Sequence, residues 1–421
     1  MNSTSRATGL LVALLALAAA PAGASPGNGI RLGGSEGRLH PYLDLEGRWD
    51  SNVFFATNQT TSVPGALQGK VVGDLILHVR PGLSLKVPGE LVDVDLDANL
   101  DWAQYLGAQD SATTDLSQLY AAATLGLGVN RRGTIGLELD DQFRRDPSTS
   151  TFVFQGAVIS NKNFLSARLP WRPGGGALVI APTLDWMLET FEPFTSCPAS
   201  VGQTSCDSAK LGKLGYNDVR AGAEARWQFL PRTAAVLDGD WFSRIQNDST
   251  LATDVSGVEA RAGFSGLVTP HAGATVKLGY ADTLGSTPRS FGTVLATVEG
   301  EWLASDSARV GLGWDHGFGM EPNTIFYLYT SDRIRLGARY SLAGRYGARL
   351  DGSWERRAYA FVSGSNTAQF YRVEPALEAA LARWINATVG YAYTSRDSSF
   401  TSQPGYAYSK HEAWVRVVLT Y

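Results

Sequence analysis

The 421-residue sequence is poor in the residues that build redox and metal sites. It has two cysteines, three methionines and five histidines. The cysteines, Cys197 and Cys206, share one polar stretch that contains no histidine and no further cysteine. Because a metal or redox centre would need such neighbours, none is expected. In an oxidising compartment the two thiols are expected to pair and to close a short loop.

The chain also lacks the short motifs that mark enzymes and nucleotide sites. It contains no His-Glu-x-x-His, no phosphate-binding loop and no dinucleotide-binding fingerprint. The five histidines are scattered without a nucleophile beside them: His40, His78, His271, His316 and His411. We therefore expect no catalytic residue, no cofactor and no enzymatic activity. The formal net charge of −4 does not predict a nucleic-acid partner.

Long apolar runs are missing after the N-terminus. Arg6 precedes an apolar stretch over residues 10–20, and a small-residue cleavage site ends at Ala24. This order predicts a secretory signal peptide over residues 1–24. The Gly-rich residues 25–38 are expected to form a flexible periplasmic leader. No later run is long enough for a transmembrane helix.

Alternating apolar and polar residues fill the rest of the chain. One run places Val92, Val94, Leu96, Ala98, Leu100 and Trp102 between Asp93, Asp95, Asp97, Asn99 and Asp101. Period two of this length predicts a β-strand with one apolar face and one polar face. Such runs reach the roughly 9–11 residues that cross a bilayer, whereas soluble strands average about 5–6.

Short turns and long polar stretches alternate between these runs. Pro88 and Gly89 form one of the short turns, and residues 191–211 form one of the long stretches. Short periplasmic turns and long external loops are typical of outer-membrane barrels. The pattern predicts an all-β, antiparallel, up-and-down transmembrane barrel of about 18 strands over residues 39–421, with both termini in the periplasm of a Gram-negative bacterium.

Large aromatic residues fall near both ends of the apolar stripes, where amphipathic rings meet the two membrane interfaces. The outward-running segments end near Trp49, Trp102, Phe143, Trp186, Trp241, Tyr280, Trp314, Trp354 and Tyr393. The inward-running segments end near Trp171, Trp227, Trp302, Tyr340 and Tyr421. The sequence therefore predicts two aromatic girdles in contact with outer-membrane lipid.

If apolar residues face lipid, the alternate residues line the lumen, and their charges are sorted by sign. The predicted basic residues are Arg309, Arg333, Arg335, Arg339, Arg349, Arg357, Arg372 and Arg416. The predicted acidic residues are Asp93, Asp95, Asp97, Asp101, Glu138 and Asp140. Two compatible interpretations stay open. The charges guide an anionic or polyhydroxylated solute, or they pair along a wet wall and stiffen it.

The stretch Leu43 to Leu106 resembles the opening of a family of β-barrel porins associated with exopolysaccharide operons. The likeness rests on Trp49-Asp50-Ser51-Asn52-Val53-Phe54, which matches that family's "(Y/W)DSNVF" strand end, and on Val79 to Leu85. It continues through the alternating strand that ends at Tyr105. The physical role of Asp50 and Asn52 is structural, because such side chains hydrogen-bond the backbone where a strand ends.

The resemblance implies a channel that takes part in secretion of a surface polysaccharide, with a periplasmic polysaccharide export protein as partner. It also implies that the assembly machinery reads the C-terminal strand ending at Tyr421. The alternative is a general or sugar-selective diffusion porin for small hydrophilic solutes. A monomer is expected.

Overall fold

The computed structural model is a single closed β-sheet. It describes residues 29–32, 36–53, 55, 71–148, 158–193, 208–248, 254–284, 291–320, 328–342, 344–360, 367–399 and 407–421. The predicted signal peptide and the predicted disulfide between Cys197 and Cys206 lie outside these residues. Among the described residues, no helix is long and apolar enough to cross a membrane.

Nineteen strands, two 3₁₀ turns and one short helix make up the described structure. The strands are β1 (Ile30–Arg31), β2 (Arg38–Asp50), β3 (Asp74–Val87), β4 (Val92–Tyr105), β5 (Gln118–Val129), β6 (Leu137–Ser148), β7 (Val158–Arg168), β8 (Leu178–Glu192), β9 (Tyr216–Leu230), β10 (Thr233–Gln246), β11 (Val255–Thr269), β12 (Ala272–Thr283), β13 (Gly292–Ser305), β14 (Ala308–Met320), β15 (Leu328–Leu342), β16 (Tyr346–Tyr359), β17 (Thr367–Ala382), β18 (Ile385–Ser398) and β19 (Tyr408–Thr420). The 3₁₀ turns span Ser111–Leu116 and Pro173–Gly175, and helix α1 spans Ser208–Lys213.

The eighteen long strands β2 to β19 form a ring in which each pairs antiparallel with the next. The ring closes because β19 pairs with β2, with Ala413 opposite Trp49. The backbone N–H of Tyr421 donates to the carbonyl of Pro41 at 3.0 Å, which extends the seam to the last residue. The predicted antiparallel barrel of about eighteen strands is confirmed.

Within the leader predicted over residues 25–38, β1 adds a short pairing to β2. Ile30 lies opposite Leu39, and Arg31 lies opposite Arg38. The first long strand begins at Arg38, one residue before the predicted start of the barrel.

The short connections lie at one end of the barrel. The first long strand, β2, begins at this end, and the last strand, β19, ends there. Only two residues separate β9 from β10, whereas residues 51–73 separate β2 from β3 at the other end. Asn130 illustrates how a short turn is made. It has a positive φ of 49°, and its side-chain amide donates to the carbonyl of Ile135 at 2.7 Å. The short-turn end is the periplasmic end by the rule for outer-membrane barrels.

The outer face of the ring is apolar and open. Leu77, Leu278 and Leu377 expose 44, 61 and 65% of their surface. In water such a continuous belt would be a large apolar patch, so it belongs in lipid. Girdle residues such as Trp102 near the external end and Trp227 near the periplasmic end share this outer face.

Candidate functional site

The lumen is the candidate site, because the strand register turns all the predicted charged residues towards it. Arg333 lies opposite Asp315 on one neighbouring strand and Glu355 on the other. The next residue, Ile334, lies opposite the girdle residue Trp354 on the outer face. The same alternation puts all eight predicted basic residues and all six predicted acidic residues on the inner face.

Most of the predicted basic residues have acidic partners on the same wall. The ion pairs are Arg309–Glu301 (2.9 Å), Arg333–Glu355 (2.8 Å), Arg335–Glu299 (3.2 Å), Arg349–Glu374 (2.9 Å), Arg357–Glu355 (2.7 Å), Arg372–Glu374 (2.6 Å) and Arg416–Asp44 (2.8 Å). Arg339 makes no ion pair with any residue that the structure describes. It lies directly opposite Arg309 and Arg349.

The predicted acidic residues are matched in the same way. Their ion pairs are Asp93–Arg131 (3.1 Å), Asp95–Lys86 (3.9 Å), Asp101–Arg80 (2.9 Å) and Glu138–Arg168 (3.1 Å). Asp97 accepts a hydrogen bond from the hydroxyl of Tyr42 at 3.1 Å. Asp140 has no ion pair within the described ranges. Of the two interpretations, the arrangement therefore favours charges that pair with one another along the wall. It does not favour one acidic wall facing one basic wall.

Exposure to water changes along the lumen. Near the periplasmic ends of the strands, the side chains of Asp95 and Arg309 are 68 and 62% exposed, and that of Arg335, midway along β15, is 51% exposed. Towards the external ends, inward charged groups such as Arg244 and Lys410 are buried. Water thus reaches the charged wall near the periplasmic ends of the strands, whereas these inward charges near the external ends are covered by neighbouring groups.

Apolar side chains are also buried near the external ends of the strands. Phe242, Val255 and Leu328 form a buried cluster there, and Phe318 packs against it. The sequence interpretation missed this feature, although a signal was present. Phe242 occupies an inward position between Asp240 and Arg244, where the alternation predicts another polar residue.

Four inward aromatic rings lie over glycines at directly opposite positions on the next strand. The pairs are Tyr42 with Gly82, Phe242 with Gly257, Tyr329 with Gly319 and Trp414 with Gly390. A Cβ on any of these glycines would fall 2.3 or 2.4 Å from a ring atom. Since aromatic rings cover glycines in this way in curved sheets, the absent side chain lets each ring lie along the wall.

An arginine stacks on three of these four rings. Arg48 lies 5.4 Å from the ring centre of Trp414, Arg357 lies 4.7 Å from Tyr329, and Arg220 lies 5.8 Å from Phe242. Each arginine also pairs with a glutamate, for example Arg48 with Glu46 at 2.7 Å. Cation–π contact and the ion pair together hold the ring and the guanidinium in place.

The residues of the "DSNVF" stretch secure the external end of β2. The backbone N–H of Asn52 donates to Asp50 at 2.9 Å, and its side-chain amide donates to the carbonyl of Ser409 at 3.2 Å. Asp50 also pairs with Lys410 at 2.7 Å. Because both contacts reach β19, these residues reinforce the closing seam, which agrees with the structural role expected for them.

Two of the histidines pair with aspartates. His78 contacts Asp101 at 3.0 Å, and His316 contacts Asp332 at 2.8 Å on the outer face. Among the described residues, no group of three or more His, Cys, Asp or Glu is arranged to hold a metal ion.

The closed ring, the apolar belt and the wet charged interior decide the class of protein. The chain is an outer-membrane β-barrel with a porin-like fold. Its sequence matches no protein-family model and no curated protein. Solved structures of similar shape include the outer membrane protein opdK of Pseudomonas aeruginosa, at 15% identity and a TM-score of 0.45, covering 91% of this chain and 99% of that one. OccK3 (OpdO) of the same organism has 11% identity and a TM-score of 0.44, covering 91% of this chain and 95% of that one. The FrpB iron transporter of Neisseria meningitidis (F3-3 variant) has 7% identity and a TM-score of 0.42, covering 91% of this chain and 81% of that one.

Proposed function

We propose that this barrel is a passive channel for small hydrophilic solutes, the alternative that the sequence left open. The exposure of the inward charges near the periplasmic ends supports this function. Side chains such as Asp95 and Arg309 keep more than half of their surface exposed, so the lumen around them is open to water. Rings of eighteen strands are also wide enough to leave an aqueous channel.

Secretion of a surface polysaccharide stays a prediction that rests on the resemblance of residues 43–106. An Arg-rich conduit for an anionic polymer would need arginines that are free to meet it. Here seven of the eight predicted basic residues pair with acidic groups. Arg339 is the exception among the described residues. For this reason we place the diffusion channel first.

The proposal is tested with the purified mature chain in planar bilayers and in liposomes. We expect discrete conductance steps, and swelling of the liposomes in small sugars at a rate that falls with solute size. A barrel that neither conducts nor admits sugars contradicts the proposal. Gene deletion separates the two functions. Lost surface polysaccharide with unchanged sugar permeability supports secretion instead.

Replacing Arg339 by glutamate is expected to shift the channel's selectivity towards cations. Arg339 is an exposed lumen charge, and no acidic residue in the described part of the chain neutralises it. Reversal potentials in a KCl gradient measure the shift. The shift should be clear near 0.1 M salt, where the Debye length is about 10 Å, and weak near 1 M, where it is about 3 Å. Arg356→Glu makes the same change on the outer face and should leave the reversal potential unaltered.

A further inference from the structure

The lipid-facing belt is interrupted by a polar pair on β6 and β7. Asp140 lies on the inner face opposite Gly126, so the next residue, Asp141, lies on the outer face between Leu125 and Leu165. Asn163, opposite the girdle residue Phe143, shares that face. Its side-chain amide donates to the carboxylate of Asp141 at 3.0 Å. Asp141 lies two residues to the periplasmic side of Phe143, inside the apolar belt.

The pair satisfies only part of its hydrogen-bonding capacity. A carboxylate can accept about four hydrogen bonds, and a side-chain amide offers two donors and a carbonyl. Within the described residues, the only side-chain bond that Asp141 and Asn163 make is the one between them. Hydrocarbon offers no further partner, and a polar group left unpaired there is strongly disfavoured. The rim cluster above them differs, because Arg145, Asn161 and Glu192 bond one another and lie beyond the girdle.

Three alanines lie on the outer face beside Phe143 and the polar pair. Ala98 and Ala123 lie opposite each other on the outer faces of β4 and β5, and Ala123 lies opposite Phe143. Ala121 follows on the same face. Small residues at this position allow a second protein surface to approach closely in the membrane.

We propose that this patch, formed by Ala98, Ala121, Ala123, Asp141 and Asn163, is the interface of a two-fold dimer of this chain. The patch is self-complementary. Across a two-fold axis, the free amide donor of each Asn163 can reach the Asp141 carboxylate of the other copy. A lipid chain has no donor to offer. This proposal replaces the expectation of a monomer. None of the contacts described in the barrel requires the chain to be monomeric.

Crosslinking of the full-length protein in outer-membrane vesicles tests the dimer. Leu165→Cys places a thiol beside the patch and leaves the polar pair intact. A short bis-maleimide should convert it to a species of twice the chain's mass, whereas the parent chain sets the background from its own cysteines. Leu336→Cys is the matched control, because it is an outward leucine on β15, eight strands from β7 in a ring of eighteen.

Adding Asp141→Leu to Leu165→Cys should abolish the crosslink. The substitution replaces the carboxylate that Asn163 of the other copy would bind by an apolar side chain like the rest of the lipid-facing surface. Native mass spectrometry of the single variant Asp141→Leu, without Leu165→Cys, should show a monomer. The same measurement on the parent chain should show a dimer. Heat-modified migration on a gel confirms that each variant is folded. An equal crosslink at Leu336→Cys, a crosslink that survives Asp141→Leu, a trimer, or lipid adducts on a monomeric parent chain would each overturn the proposal. None of these outcomes bears on whether a single barrel conducts, so the dimer and the channel are tested independently.

Discussion

Replacing Asp44 by asparagine is expected to lower the free energy of unfolding by about 2–3 kcal/mol. Asp44 is almost fully buried and accepts bonds from Arg416 of β19 at 2.8 Å and Arg80 of β3 at 3.3 Å. Through these two contacts Asp44, on β2, links the last strand, β19, to β3. The amide keeps the size of the side chain but removes the charge, so two guanidinium groups lose a buried partner.

The expected loss lies below the roughly 3–5 kcal/mol that breaking a fully buried ion pair costs. Arg80 keeps Glu46 at 2.9 Å and Asp101 at 2.9 Å, and Arg416 is 45% exposed. Water and the remaining carboxylates therefore compensate both cations in part.

Glu301→Gln is the matched control. It also removes one carboxylate from an arginine of the lumen wall, but the side chains of Glu301 and Arg309 are 54 and 62% exposed. We expect a loss below about 1 kcal/mol, because solvent screens such pairs. Urea unfolding from lipid vesicles, followed by migration on a gel, measures both variants. Equal losses would contradict the distinction between buried and water-exposed ion pairs of the lumen wall.

The architecture of the barrel was accessible from sequence because a single physical rule generates it. Strands that separate lipid from water must alternate apolar and polar residues, so a run such as Val92 to Trp102 reveals its conformation and both of its faces. The two aromatic girdles follow from the same rule. Counting the runs then leads to about eighteen strands, and the structure has eighteen in the ring.

The behaviour of the lumen charges was not accessible, because it depends on which residues become neighbours across strands. Arg309, Arg339 and Arg349 fall into one row only through the register of β14, β15 and β16. From the sequence alone they could either guide an anionic solute or pair with carboxylates along the wall. In the barrel, Arg309 and Arg349 meet carboxylates from the same or neighbouring strands. Alternation assigns a face to each residue, whereas the register assigns its partner.

The polar pair on the lipid face shows the opposite limit of the same rule. Asp140 and Asp141 are adjacent, so one of them had to face outward in any register. The sequence therefore contained the anomaly. What it could not show was that Asn163 of the next strand would meet Asp141, because those residues are brought together by the β6–β7 pairing.

Replacing Gly390 by alanine is expected to destabilise the barrel by about 1–3 kcal/mol, the usual cost of overpacking. The new Cβ would fall 2.3 Å from the ring of Trp414, so the ring has to leave the wall. Trp414 is held on its accessible side by Arg48, which itself bonds Glu46 and Glu412. The ring must therefore disturb that ion-pair network as it moves into the lumen, and we expect the single-channel conductance to fall as well.

The control for Gly390→Ala is Gly311→Ala, an inward glycine of β14 around which a new Cβ has no neighbour closer than 3.9 Å. It should be neutral, or stabilising by about 0.4–1 kcal/mol through the unfolded chain. Trp414→Ala combined with Gly390→Ala closes a double-mutant cycle, and the penalty of Gly390→Ala should vanish once the ring is gone. If the penalty persists without the ring, Gly390 is needed for another reason, and the argument that these glycines keep aromatic rings flat against the lumen wall is wrong.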